Sequence, residues 1–86
     1  MPTAATMTES AILPVLSACV LEILPDVAPV EITPENSLLN LGLNSLERTE
    51  VIMATLDELE LRIPLTAFSK AENIGGILAV IASHGA

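Results

Sequence analysis

Prolines at positions 25, 29, 34 and 64 interrupt a chain that is otherwise periodic in apolar residues, and their spacing decides which stretches can become helices. Proline lacks a backbone N–H and its ring clashes with the preceding turn, so a helix takes it without strain only in the first turn and kinks or ends at it elsewhere. Before Pro25, the residues Leu13, Leu16, Cys19 or Val20, and Ile23 recur at helical spacing and predict a first helix over 10–24. With Ser10 as its N-cap, Pro14 falls in the first turn; an earlier start would kink the helix there. From Pro25 to Leu43 no periodicity is sustained, and that connection exceeds the roughly 12–15 residues usual for loops in compact domains. Val30, Ile32, Leu38, Leu39 and Leu41 are too apolar for a free linker, so the loop is expected to lie pinned against the bundle, with a short turn near 38–41.

A second helix is predicted from Ser45 to Leu59 or Glu60. At 100° per residue its apolar positions spread over roughly 220°, where a helix facing one core needs little more than about 100°. Val51, Ile52 and Leu59 make an inward set, and Leu46, Met53 and Leu56 form a second one beside Ser45; a central helix buried on both sides is the alternative. Glu47, Glu50, Asp57 and Glu58 read as a solvated face, with Glu47 and Glu50 also placed where acids favour the helix dipole. Arg48 projects toward the inward side, so either its stem follows the core's edge or its guanidinium meets a phosphate or carboxylate. After Arg62-Ile63-Pro64 there is room only for a short turn over 65–69. A last helix starts at an Asn73 cap and runs to about residue 82 on Ile74, Ile77, Leu78 and Ile81; Gly75 and Gly76 imply close packing or a labile first turn.

The chain of 86 residues supports one domain that buries about 60–65% of its unfolded surface, too little for a deep catalytic pocket. Apolar residues make up 51% of it, yet Phe68 is the sole aromatic, and a core of aliphatic side chains suits close-packed helices. The net charge of −8 sets eleven acids against Arg48, Arg62 and Lys70, which disfavours nucleic acid and anionic membranes and suits a basic protein partner or simple solubility. Cys19 is single and on an apolar stripe, hence core filler, and neither metal-ligand spacing nor an apolar run of membrane-spanning length occurs. A reducing cytoplasm fits this composition. Residues 1–8 lack the basic start and apolar stretch of a signal peptide and read as a tail, as do residues 83–86, leaving a domain over 9–82.

Ser45 stands at the start of the second helix in Gly42-Leu43-Asn44-Ser45-Leu46. A catalytic serine needs a general base and an orienting third group, and the sole histidine, His84, lies in the last three residues. The hydroxyl is instead displayed where helix N–H groups and dipole favour a phosphate, so Ser45 reads as a modified residue and not as a catalyst.

The order and spacing of Leu24-Pro25-Asp26, the stretch from Ile32 to Leu38, Leu41-Gly42-Leu43-Asn44-Ser45-Leu46 and Arg62-Ile63-Pro64 resemble the acyl carrier protein family over about residues 9–82. The resemblance implies an all-α fold, a small four-helix bundle with a long loop between helices one and two and a short third helix. It implies 4'-phosphopantetheine on Ser45, installed from coenzyme A by a phosphopantetheinyl transferase, with the terminal thiol carrying acyl thioesters. Helix two of that family is read by partner enzymes, which assigns Leu46, Glu47, Arg48, Glu50 and Met53 to a docking surface. One position departs: Asn44 stands where the family usually has an aspartate that helps organise the transferase's metal, keeping the shape and capping ability but not the charge. Asn44-Ser45-Leu46-Glu47-Arg48 is similar to the freestanding donor carriers of polyketide beta-branching cassettes, which deliver acetyl to a hydroxymethylglutaryl-CoA-synthase-like enzyme. That likeness implies an acyltransferase and this synthase, or a ketosynthase, as partners of a monomeric carrier. Fatty-acid and nonribosomal-peptide carriers share the general pattern, and an unmodified helical interaction domain is the alternative outside the class.

Overall fold

Thr8 opens the first helix: in extended conformation (φ −90°, ψ 159°), its hydroxyl accepts the Ala11 N–H at 3.2 Å. The computed structural model describes residues 8–85, so the expected tail over 1–8 lies outside the described residues except for this cap. Helix α1 spans Glu9–Ile23, one residue ahead of the start expected at Ser10. The displacement puts Pro14 in the second turn, where the carbonyl of Ser10 finds no N–H four residues on, yet the helix runs through it as one element. The buried stripe is Ile12, Leu16, Cys19 and Val20; Ile12 takes the place expected for Leu13, which with Ile23 is half-buried. The Leu24 N–H closes onto the Val20 carbonyl at 2.8 Å, and Pro25 ends the helix.

The connection over 25–43 is pinned, though not by all of its expected anchors. A 3-10 turn at Pro29–Glu31 leads into buried Ile32, and Leu38 and Leu43 are buried further on. Val30 and Leu39 point outward instead, 81% and 61% exposed, because adjacent residues in a turn cannot all face one core. The strongest tie is polar: the carbonyls of Asn36 and Pro34 accept the N–H groups of Ile74 and Gly75, both at 2.8 Å. Two orphan donors at the start of the last helix are thereby satisfied by the loop. The expected turn is present, with Leu41, Gly42 and Leu43 donating to Ser37, Leu39 and Leu38. Gly42 adopts φ 108°, which side chains with a Cβ rarely enter, and this lets the chain reverse so that Leu43 goes inward and Asn44 comes out.

Helix α2 spans Ser45–Leu59, as expected, and buries Val51, Ile52, Thr55 and Leu56. Leu56 therefore belongs to the core and not to the second apolar set, and Leu59 is only half-buried. The helix stops where Glu60 turns left-handed (φ 57°), with Glu60 donating to Asp57 and Leu61 to Leu56. The four-helix expectation is corrected in count. Among the described residues there are three α-helices, and the third of the four expected is a 3-10 turn at Leu65–Phe68. Pro64 fixes the start of that segment and Asn73 begins the next helix, so the stretch is too short to propagate an α-helix. Phe68 is nonetheless fully buried.

Helix α3 spans Ile74–Gly85 and so carries on through Ser83 and His84 beyond the end expected near Ala82. Asn73 caps it as expected, its side-chain oxygen accepting the Gly76 N–H at 2.7 Å. Of the two readings of the glycines, close packing holds: a Cβ on Gly75 would sit 3.0 Å from the Pro34 carbonyl oxygen, and one on Gly76 would sit 3.2 Å from Ala71 Cα. Gly75→Ala is accordingly expected to lower the melting temperature. The approximately 1 kcal/mol that alanine adds to a helix is outweighed by forcing away the carbonyl that holds the Gly75 N–H. A thermal melt showing an unchanged or higher midpoint would contradict this.

Helix α1 packs against α2 and α3, and the Leu65–Phe68 turn packs on α3. Ile74, Ile77, Leu78 and Ile81 are all buried, and Thr55, the one buried polar residue among those described, donates its hydroxyl to the Val51 carbonyl at 2.7 Å. Burial in this core raises the Cys19 thiol above its ordinary range, partly offset by Thr55, which keeps it a protonated filler at neutral pH. No helix among the described residues is long and apolar enough to cross a membrane.

Candidate functional site

The start of α2 is built by a reciprocal cap. Asn44, extended at ψ −179°, accepts the Glu47 N–H on its side-chain oxygen at 2.8 Å, while Glu47 Oε1 accepts the Asn44 N–H at 3.0 Å. The Arg48 N–H goes to the Asn44 carbonyl at 2.8 Å. Glu47, assigned from sequence to a solvated or docking face, thus also holds the helix start. Asn44-x-x-Glu47 carries that signal in the sequence, and the periodicity of the apolar residues masked it. Asn44→Ala is expected to cost about 1 kcal/mol in urea unfolding, whereas Asn44→Asp, which keeps the acceptor and adds a favourable charge, costs nothing.

Ser45 is the first residue of α2 and is exposed. Its carbonyl accepts the Thr49 hydroxyl at 3.1 Å, while its own hydroxyl makes no hydrogen bond among the described residues. With Glu47 and Arg48 N–H groups engaged, those of Ser45 and Leu46 are the ones left facing outward beside the hydroxyl, an arrangement that favours an anion. Ser45 borders a cleft of about 480 Å³ lined by Leu38, Leu39, Arg48, Ser69, Ala71, Glu72 and Ile77. Its lining draws on the loop, α2, the segment before α3 and α3 itself. Leu39, Ser69 and Glu72 were not tied to Ser45 by the sequence, since only the folded loop brings them there. A groove of about 520 Å³ between α1 and α2, bordered by Pro14, Cys19, Ala54 and Asp57, does not include Ser45.

On the outer face of α2, Leu46 is 68% and Met53 54% exposed, seven residues apart on one side, with exposed Glu50 between them. This exposure rules out the reading of α2 as a helix buried all round. Leu65 lies outside the sequence-derived set, and borders the same depression as Met53. Arg48 is turned elsewhere: half-buried, its Nη2 donates to the carbonyls of Phe68 at 3.2 Å and Ala71 at 2.7 Å. The stem follows the core's edge, one of the two sequence readings, and Nη2 ties α2 to the segment before α3, while the other reading concerns the guanidinium's remaining donors. His84 is exposed in the last turn of α3 and does not border the Ser45 cleft.

An exposed serine heading a capped helix, with a long pinned loop before it and a cleft beside it, is the arrangement of a carrier domain. The chain belongs to the phosphopantetheine attachment site family, whose model matches residues 14–81. It is 35% identical over 75 residues to the polyketide biosynthesis acyl-carrier-protein AcpK of Bacillus subtilis (strain 168), an alignment covering 87% of this chain and 92% of that protein. No solved structure matches the chain with comparable significance. Proteins of this family carry 4'-phosphopantetheine on a serine. The residues present fit the group: Ser45 offers an unengaged hydroxyl, outward N–H groups lie beside it, and a cleft opens next to it.

Proposed function

We propose that Ser45 is the attachment serine and that the chain is an acyl carrier of polyketide biosynthesis, itself without catalytic activity. In the loading step, catalysed by a phosphopantetheinyl transferase, the Ser45 oxygen bonds to the phosphorus of coenzyme A that bears the pantetheine. The pyrophosphate bond breaks, adenosine 3',5'-bisphosphate leaves and the hydroxyl proton is released. When bound, the arm would supply a terminal thiol able to hold an acyl group as a thioester, with an acyltransferase as the loading partner. The observation that carries this reading is the exposed, unengaged hydroxyl of Ser45 at the capped start of α2.

The polyketide context comes from the likeness to AcpK, and the finer assignment rests on Asn44 to Arg48. The cargo is acetyl, and the receiving enzyme is a hydroxymethylglutaryl-CoA-synthase-like enzyme of beta-branching in preference to a ketosynthase. Leu46 and Met53, rimmed by Glu47 and Glu50, form the face these enzymes read, and the acids select basic partner surfaces. The carrier acts as a monomer in the cytoplasm.

The test begins with the intact mass after incubation with coenzyme A and a broad-specificity transferase, followed by loading with acetyl. Acetyl should then pass to a synthase of that type faster than to a ketosynthase. Equal or reversed rates would refute the beta-branching assignment, and a folded protein that gains no mass with any transferase would refute the carrier reading. Asn44 favours the second reading, an unmodified interaction domain, because it lacks the charge that the family's aspartate brings to the transferase.

A further inference from the structure

Arg48 is the least expected residue at this site. It is one of three basic residues in a chain of net charge −8, and it sits half-buried in the cleft that Ser45 borders. Arginine has five N–H donors in a planar fork, and here Nη2 is directed at two neutral carbonyl oxygens, those of Phe68 and Ala71. Those two bonds fix the plane of the guanidinium. Nε and Nη1 take no hydrogen-bond partner among the described residues, and no buried side-chain nitrogen is left unsatisfied, so these donors are open to solvent on a residue that lines the cleft. Ser45 and Arg48 are three residues apart on α2, which places their side chains one turn apart on neighbouring rows of the helix.

We infer that Arg48 is a positioning residue for the phosphodiester on Ser45, a proposal that rests on the attachment reading above. Its Nε–H pairs with a non-bridging phosphate oxygen while Nη2 keeps its bonds to Phe68 and Ala71. The guanidinium thereby draws the first bonds of the arm along the cleft toward Ser69 and Glu72, and away from the Leu46 and Met53 face. With both Nη2 hydrogens held by carbonyls, a single N–H, that of Nε, is left to meet the phosphate, and the planar guanidinium holds that donor in a fixed direction where a lysine ammonium would be only a point charge. The same pairing sets the anion where the N–H groups of Ser45 and Leu46 already favour one.

The test uses the full chain before and after loading, with complete addition verified by intact mass. In the wild-type protein, loading is expected to move the Arg48 Nε–H resonance and to slow its exchange with solvent by on the order of tenfold, the effect of one charge-assisted hydrogen bond. The phosphorus resonance of the loaded protein should differ from that of the same protein unfolded in urea. In Arg48→Gln it should move from the wild-type position toward the unfolded one, with Arg48→Lys between wild type and Arg48→Gln. A purely structural Arg48 would change melting temperature in these variants but leave the phosphorus resonance alone. Should loading leave the wild-type Nε–H unmoved, or the phosphorus resonate at the same position in Arg48→Gln as in the wild type, the pairing does not exist, although Ser45 still carries the arm. A chain that never gains the mass of phosphopantetheine overturns the attachment reading, and this inference with it. The wild-type comparison requires no variant to fold.

Discussion

Ser45→Ala is expected to abolish the phosphopantetheine mass addition completely while the domain stays folded. The first half follows from chemistry: the new phosphodiester needs an oxygen at that position, and alanine supplies none. The neighbouring hydroxyls are no substitutes, because Thr49 is half-buried and committed to the Ser45 carbonyl at 3.1 Å, and Ser37 accepts the Asn40 N–H at 3.0 Å in the turn before. The second half follows from exposure. The Ser45 side chain is outside the core, and alanine is the better helix former, so stability should change by no more than about 0.5 kcal/mol. Intact mass and a urea melt on the same preparation separate the two. Residual addition in the folded variant would place the attachment elsewhere, and loss of addition together with loss of structure would leave a serine with a structural role that the fold does not show.

Phe68→Ala is expected to destabilise the domain by about 3–5 kcal/mol, read from urea unfolding. Phe68 is the one aromatic residue of the chain and is fully buried, and its four-residue 3-10 turn is too short to be stable alone. Emptying that site removes the largest side chain of the core beneath the segment to which Arg48 is hydrogen-bonded. Small domains have roughly 5–15 kcal/mol in total, so the variant should sit near the edge of unfolding at room temperature. A cost below about 2 kcal/mol would mean that the aliphatic neighbours collapse into the space. Phe68→Leu should recover much of the loss, since the site needs volume and has no polar contact to satisfy.

Much of this architecture was legible in the chain because apolar spacing and proline placement are local signals. Helix α2 lies where periodicity put it, and Ile74, Ile77, Leu78 and Ile81 form the buried face of α3 as spaced. The misjudged points each depended on something local pattern does not hold. Ser10 and Thr8 can both cap a helix, and the two-residue difference moved Pro14 from the first turn into the second. Leu39 and Leu41 look alike in sequence, but only the turn closed at Gly42 decides that Leu39 faces out. Ser45 could be picked out because a helix start and a missing base are both visible in one dimension. Its surroundings were not, since Ser69, Ala71 and Glu72 reach the cleft only through the folding of the chain after Pro64. Arg48 is the instructive case: its angle on the helix showed that it turned inward, and only the positions of the Phe68 and Ala71 carbonyls show what it does there.

The two bonds from the loop to the start of α3 have a consequence for observing the molecule at work. The amides of Ile74 and Gly75 are shielded by the carbonyls of Asn36 and Pro34, so they exchange with solvent only when that part of the loop lifts from the helix. The pair forms a built-in gauge of the strap that leads to Ser45. An enzyme that prises the strap open on docking would release both amides together, while one that engages only the outer side of α2 would leave them protected. Deuterium uptake at two adjacent positions thus distinguishes partners that remodel the carrier from partners that merely land on it.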